Sequence, residues 1–222
     1  MNGNTWLEHR LVTFSDQTPP FLLEPDTPFE WNAIFSAAGF LEISNYSSSR
    51  LKLEPSAGRF DKLSERIEQS GVVIRHLDLE KFDHDLGAIY DLSSESFKDN
   101  FLYTSLSKEV FIGKYSEAKE HLDPELVLLA ERGGELVAFV FCYPCLMNSG
   151  TLIVKTLASK KERSIAGIGT LLVEQVQQVA LEKGYHSAIH ALQFESNTSK
   201  KITARYPSCT FRKYSLLAIR SQ

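Results

Sequence analysis

Thr156-Leu-Ala-Ser-Lys-Lys-Glu-Arg-Ser-Ile-Ala-Gly-Ile-Gly-Thr170 is the stretch on which the fold turns. The residues leading into it, Thr151-Leu-Ile-Val-Lys-Thr-Leu157, form an apolar, partly β-branched run and predict a strand. The residues after it predict a helix over 168–183. Ile168, Leu171, Leu172, Val176, Val179 and Ala180 recur at helical spacing, Glu174, Gln175, Gln177, Gln178 and Glu182 occupy the other face, and Gly184 ends it. A strand, a short polar loop and a helix start bring free backbone N–H groups and a positive dipole end to one place, which suits an anion. Gly167 and Gly169 leave the backbone open to close approach, and Lys160, Lys161 and Arg163 stand just upstream. A tight turn packed on a sheet, with solvated basic residues, accounts for the same residues, and local physics does not separate the two readings.

Outward from this stretch the chain alternates helices and strands. Towards the C-terminus, 187–192 predicts a strand, 199–206 a short helix and 214–219 a last strand. Towards the N-terminus, two apolar runs, 126–130 and 136–142, flank Gly133-Gly134 and predict a hairpin. Before them come helices over 79–97 and 108–120 and a strand over 72–77. The first 71 residues are less regular. Pro28 predicts the start of a short helix capped by Thr27 and running to Gly39. Residues 41–46 and 49–53 alternate like strands, and 59–69 predicts a polar helix closed by Gly71. Helices among strands, with one hairpin, imply a mixed α/β sheet.

The 222 residues are 43% hydrophobic and 23% charged, which excludes a disordered or collagen-like chain. The formal net charge of −4 conceals a division. Residues 1–154 hold 13 Lys+Arg and 24 Asp+Glu, net −11, whereas residues 155–222 hold 11 and 4, net +7. A basic third in an acidic chain argues against wholesale nucleic-acid binding and for a local anion site. The acidic remainder would attract a cationic ligand, although many surfaces are acidic for solubility alone. Three cysteines suggest no disulfide framework, and Cys142-Tyr-Pro-Cys145 lacks a second pair or nearby histidines for a zinc site. No metal is expected. Neither a signal peptide nor a run long enough to span a bilayer is evident, so a cytoplasmic protein without membrane or nucleic-acid partners is expected. Dinucleotide-binding and P-loop spacings are absent: no GxGxxG follows a strand and no GxxxxGK[ST] occurs.

The six residues Ser164-Ile165-Ala166-Gly167-Ile168-Gly169 resemble motif A of the GCN5-related N-acetyltransferases (GNAT), a strand and a [Q/R]xxGx[G/A] loop leading into a helix. Both glycines match. The first position is Ser164, with Arg163 one residue early. Val154-Lys-Thr-Leu-Ala-Ser159 resembles the family's approach to that loop, Phe194-Glu-Ser-Asn197 the asparagine-bearing end of its next strand, and Phe211 to Leu217 its closing strand. The order of elements from Val72 onward is also similar.

The resemblance implies a GNAT-like α/β fold with a mostly antiparallel central sheet flanked by helices. A cofactor cleft opens where the strand before motif A splays from its neighbour. It implies acetyl-CoA as cofactor and acyl transfer by direct attack of a small-molecule primary amine. Leu157, Ala158 and Ser159 would meet the pantetheine, with the Leu157 N–H beside the thioester carbonyl as an oxyanion donor. Ser164, Ile165, Ala166, Gly167, Ile168, Gly169 and Thr170 would hold the pyrophosphate, and Asn197 and Ser199 would add polar contacts. Glu195 is the first candidate for the base that deprotonates the amine and Glu131 the second, while His190 lies mid-strand and is expected to be packed or facing solvent rather than catalytic. Tyr206 is the candidate proton donor to the leaving thiolate. It lies further from Asn197 than the family's usual spacing, where Ala204 stands, and Tyr214 is the alternative. Residues 72–222 would form the acetyltransferase domain, and 1–71 an extension. Phe35-Ser-Ala-Ala-Gly-Phe40 and the strand after it resemble the tail of a second, degenerate repeat. A homodimer fits the resemblance. Two other functions fit the same fold: a non-catalytic acyl-CoA-binding or regulatory module, and half of an aminoacyl-transferring protein acting on charged tRNA. The acidic composition disfavours the last.

Overall fold

A computed structural model describes residues 9–116 and 119–219. Its centre is one eight-stranded sheet of β1 (Leu11–Ser15), β2 (Leu41–Lys52), β3 (Val72–His76), β4 (Val127–Arg132), β5 (Glu135–Pro144), β6 (Thr151–Ser159), β7 (Ser187–Phe194) and β8 (Ser208–Ala218). The spatial order is β1-β8-β2-β7-β6-β5-β4-β3. Every neighbouring pair is antiparallel except β6 and β7. The mixed, mostly antiparallel sheet inferred from the sequence is the one observed.

Helices cover both faces. On one lie α3 (Phe82–Phe97) and α4 (Lys108–Ser116), which bury Phe82, Leu86, Ile89 and Phe111 against Phe139, Phe141 and Ile189 of the sheet. On the other lie α2 (Asp61–Gln69) and α5 (Ile168–Glu182), whose Ile67, Ile168, Leu172 and Val176 pack on Leu152, Val140 and Leu128. Each such aliphatic side chain, fully buried, contributes about 1.5–3 kcal/mol. Cys142 and Cys145 are free and buried, so the CxxC spacing serves packing. Two short helices, α1 (Trp31–Ala37) and α6 (Ser199–Thr203), complete the fold.

Four local expectations are corrected. Residues 41–46 and 49–53 are a single strand, β2, whose register shifts between Glu42 and Ser44 and again near Ser48 absorb the break in alternation. Thr27 does not cap α1; its hydroxyl accepts from the Val12 amide and ties the loop to β1. The helix expected to begin at 79 starts with a 3-10 turn over Leu79–Lys81 before α3. The last strand begins at Ser208, earlier than its apolar run.

The largest departure from chain order is the place of β2. It lies between β7 and β8, pairing with both, so the last two strands of the chain are joined through residues 41–52. The segment ahead of β2 is locked in by a buried ion pair. Glu24, 5% exposed, accepts from Arg212 Nη1 of β8 at 2.8 Å and from the Tyr214 hydroxyl, whose oxygen is also 2.9 Å from Ser48 Oγ on β2. Removing one member of a buried pair leaves an uncompensated charge. Glu24→Ala is therefore expected to lower the unfolding free energy by about 3–5 kcal/mol in urea denaturation.

Candidate active site

The parallel pairing of β6 with β7 is short. It runs from Thr151–Ser187 to Val154–His190 and stops. Beyond it, residues 156–159 of β6 stay paired to β5, and Gln193 and Phe194 of β7 stay paired to β2. Both strands are irregular where they part. The β5–β6 register passes from Val154 to Thr156 and leaves Lys155 as a bulge. In β7, Leu192 has φ of 52°, and its amide donates to Ser48 Oγ at 3.1 Å. Bulges sharpen local twist, and here they turn two adjacent strands away from each other.

A cleft of about 660 Å³ opens between them. It is lined by members of both faces: Tyr46, Phe97 and Phe194 from the α3–α4 side, and Leu157, Val173 and Ile202 from the α5 side. It therefore passes through the plane of the sheet. At its α5 end, Gly167 caps the helix in the left-handed region (φ 89°) and no side chain makes a capping hydrogen bond to the helix start. Among the described residues no acceptor takes the N–H groups of Gly167, Ile168 and Gly169. Lys161, Lys201 and Arg205 also line the cleft. Three free amides at a dipole's positive end, with three cations in the same cleft wall, suit an anion.

The two glycines have separate reasons. A Cβ on Gly167 would lie 3.1 Å from Leu63 and 3.5 Å from the Arg66 guanidinium of α2, so α2 packs where a side chain would go. A Cβ on Gly169 would lie 3.3 Å from Leu157, so this glycine lets the helix start press against β6.

Of the residues singled out from the sequence, the structure brings Leu157, Ala158, Ser159, Gly167, Gly169, Thr170, Asn197 and Ser199 into the cleft wall. The remaining loop residues face inward or backward. Ile165 and Ile168 are buried in the α5-side core. The Ala166 carbonyl accepts from Arg66, and Ser164 Oγ accepts from Arg132 Nη1 at 3.0 Å. Glu195 is exposed in the turn after β7 and is not part of the cleft wall. Glu131 is held by Arg75, which also makes a bidentate pair with Asp85 of α3. Tyr206 is turned towards α5, where its hydroxyl donates to Glu174 at 2.6 Å; burial and that carboxylate push its pKa up. Tyr214 is bound to Glu24.

His190 does line the cleft, but its two nitrogens are engaged. Gln177 Nε2 lies 3.0 Å from His190 Nε2, His190 Nδ1 lies 2.7 Å from Thr203 Oγ1, and that hydroxyl donates to Gln193 at 2.9 Å. The chain closes only with a neutral ring that accepts at Nε2 and donates at Nδ1. Burial agrees, lowering its pKa to about 4. The histidine ties α5 and α6 to β7.

Sequence reasoning missed several wall residues: Arg10, Tyr46, Phe97, Asn100 and Phe101. The first two lie in the N-terminal segment, far in sequence from the motif, and no local pattern marks them. Phe101, stacked 6.4 Å from Phe194, lies in the loop between α3 and α4. The one carboxylate in the described wall is Asp99, exposed and 3.8 Å from Lys161. No metal-binding cluster and no helix able to cross a membrane occur among the described residues.

A splayed parallel strand pair beside an uncapped, glycine-bearing helix start defines an α/β fold of N-acetyltransferase type. The sequence matches the profile of the acetyltransferase (GNAT) family over residues 67–202, and the chain belongs to that family. Among solved structures it is similar to a GCN5-related N-acetyltransferase from Sphaerobacter thermophilus, at 15% identity and TM-score 0.61, covering 86% of this chain and 56% of that one. It is also similar to a structure of the GCN5-related glucosamine N-acetyltransferase region in a fungal multi-domain β-N-acetylglucosaminidase, at 14% identity and TM-score 0.60, covering 91% and 24%. L-PGS from Bacillus licheniformis follows at 15% identity and TM-score 0.52, covering 87% and 66%. The chain thus spans little more than half of the Sphaerobacter protein and about a quarter of the fungal one. A search of curated sequences found no match.

The neutral His190 makes a testable stability statement. Unfolded, the ring takes up a proton near pH 6.5; folded, it does so only near pH 4. Stability from this group is complete above pH 6.5 and is lost as the pH falls towards 4. The loss is expected to be about 3 kcal/mol. Denaturation free energies measured across that range should show it in the native protein and not in His190→Gln.

Proposed function

We propose that the protein is an acyl-CoA-dependent N-acetyltransferase acting on a primary amine of a small molecule. The observation that carries this reading is the single cleft joining the parted edges of β6 and β7 to the uncapped start of α5. Acetyl-CoA supplies a thioester that an amine can attack directly. The free amides of Gly167, Ile168 and Gly169, with Lys161, Lys201 and Arg205, suit its phosphates. The edge of residues 156–159 that β7 does not pair offers backbone groups to the extended arm of the cofactor, and an amide there stabilises charge developing on the thioester oxygen. Leu157 and Asn197 keep the roles inferred from the sequence. For the proton lost by the amine, the described wall offers no buried carboxylate, so water in the cleft is the route this reading favours over Glu195. For the departing thiolate, Tyr46 is the phenol that lines the cleft, whereas Tyr206 is bound to Glu174.

Calorimetry with acetyl-CoA tests the first step. Binding is expected in the native protein, and Lys201→Glu combined with Arg205→Glu should weaken it at least about tenfold, more at low salt than at high. No binding at millimolar ligand overturns the reading. Thiol release across a panel of amines tests the second step, and Tyr46→Phe is expected to lower kcat by about 100-fold. The placement of Glu195 and Tyr206 outside the cleft favours one other reading, a cofactor-binding module without turnover. Cofactor binding with no thiol released from any amine would establish it.

A further inference from the structure

The end of the cleft remote from α5 contains a buried cation with no anion beside it among the described residues. Arg10 is 3% exposed and forms part of the cleft wall. Its guanidinium carbon lies 3.9 Å over the centre of the Tyr46 ring. Among the described residues its Nε has no hydrogen-bond partner and no carboxylate forms an ion pair with it. Burial lowers the pKa of this group, and neighbouring tyrosines only partly offset that. A guanidinium nevertheless remains charged at any pH at which the protein is folded.

A second polar group on the same side is also unsatisfied. Thr156 lines the cleft, and its hydroxyl is buried without a partner. Thr156 pairs with Phe141 across the strands and lies two residues from Ala158, both of which belong to the α3–α4 core, so it faces the same side as Tyr46. The wall beside Arg10 is aromatic: Tyr46 packs 5.2 Å from Phe194, and Phe194 stacks on Phe101.

We infer that this end of the cleft is the acceptor subsite and that the acceptor carries a carboxylate, which Arg10 and Thr156 bind while its amine faces the thioester. The acceptor class is therefore an amino acid or a related amino carboxylate, and the aromatic row gives room for an apolar side chain. This rests on the acetyltransferase reading for the direction of the cleft. It departs from the attraction to a cationic acceptor that overall charge suggests. The acidic part of the chain places only the exposed Asp99 in the described wall, against one buried guanidinium.

The test separates this inference from the reading beneath it. The native protein, saturated with coenzyme A, is titrated with N-acetylglycine, N-acetylleucine and N-acetylphenylalanine, with their carboxamides, and with N-acetyl-O-phosphoethanolamine. At least one carboxylate is expected to bind about 10- to 100-fold more tightly than its amide. Arg10→Gln should collapse that ratio towards one, and Arg10→Lys should restore part of it. Unchanged melting temperature and coenzyme A affinity in Arg10→Gln show that the loss is local rather than a failure to fold. Carboxylate and amide binding alike, no binding of any carboxylate, or tighter binding of the phosphate probe overturns the inference. In parallel, thiol release from acetyl-CoA is measured with glycine, leucine and phenylalanine and with their amides. Turnover of amides as good as that of the acids overturns the inference and leaves the acetyltransferase reading intact. Arg10-dependent carboxylate binding without thiol release supports the subsite and overturns turnover instead.

Discussion

Everything the cleft offers depends on two neighbouring strands ceasing to pair. A parallel ladder that continued past Val154 and His190 would satisfy the backbone of both strands and close the sheet. Each ladder hydrogen bond forgone costs about 0.5–1.5 kcal/mol net. The separation persists because each strand has a second edge that stays occupied. On one side β5 holds residues 156–159 of β6; on the other β2 holds the end of β7. Without β2, the outer half of the sheet would have nothing to draw β7 away from β6. The N-terminal strand is thus a condition of the cleft, and the buried Glu24–Arg212 pair with Tyr214 and Ser48 keeps it in place.

The cleft inherits opposite chemistry from the two faces it connects. Its α5 side is made of residues from the basic C-terminal third, and Lys161, Lys201 and Arg205 bring that excess charge to the wall. Its other side is aromatic, with the buried Arg10 and the Thr156 hydroxyl set into it. His190 sits where the strands part, neutral and fully bonded. A charged imidazole would break the Gln177–His190–Thr203–Gln193 chain and loosen α6, which carries Ser199, Lys201 and Ile202 of the wall. The histidine most suggestive of acid–base work by residue type therefore acts through position.

The sheet class, the hairpin, the motif helix and most of the α5 side of the cleft were legible in the sequence, because each is encoded locally. Periodicity marks α5, Gly133-Gly134 marks the β4–β5 turn, and the two glycines mark the helix start. The opposite side was not legible, since its walls come from distant places: Arg10 and Tyr46 near the N-terminus and Phe97 to Phe101 after α3. Nor could spacing reveal the insertion of β2 between β7 and β8, because strand order is a long-range property that an alternating run does not specify. Glu195 and Tyr206 were chosen by distance along the chain, and each points elsewhere for a local reason. The exposed turn carries Glu195 outward, and Glu174 on the adjoining face of α5 captures the Tyr206 hydroxyl.

Two buried arginines make the physical asymmetry plain. Arg212 has Glu24 at 2.8 Å, with Tyr214 and Ser48 completing the network, so its charge is compensated within the fold. Arg10 is as deeply buried and, among the described residues, has an aromatic ring in place of a carboxylate. Contact with the face of Tyr46 offsets part of the lost hydration, on the order of 2 kcal/mol when desolvated, and desolvation of a guanidinium costs more than that. A fold under selection for stability alone would replace such a residue with an apolar one of similar length. Its position in the cleft wall supplies a different reason. An anion that enters meets a donor already stripped of water and already oriented, so the cost borne by the empty fold is recovered when a ligand binds.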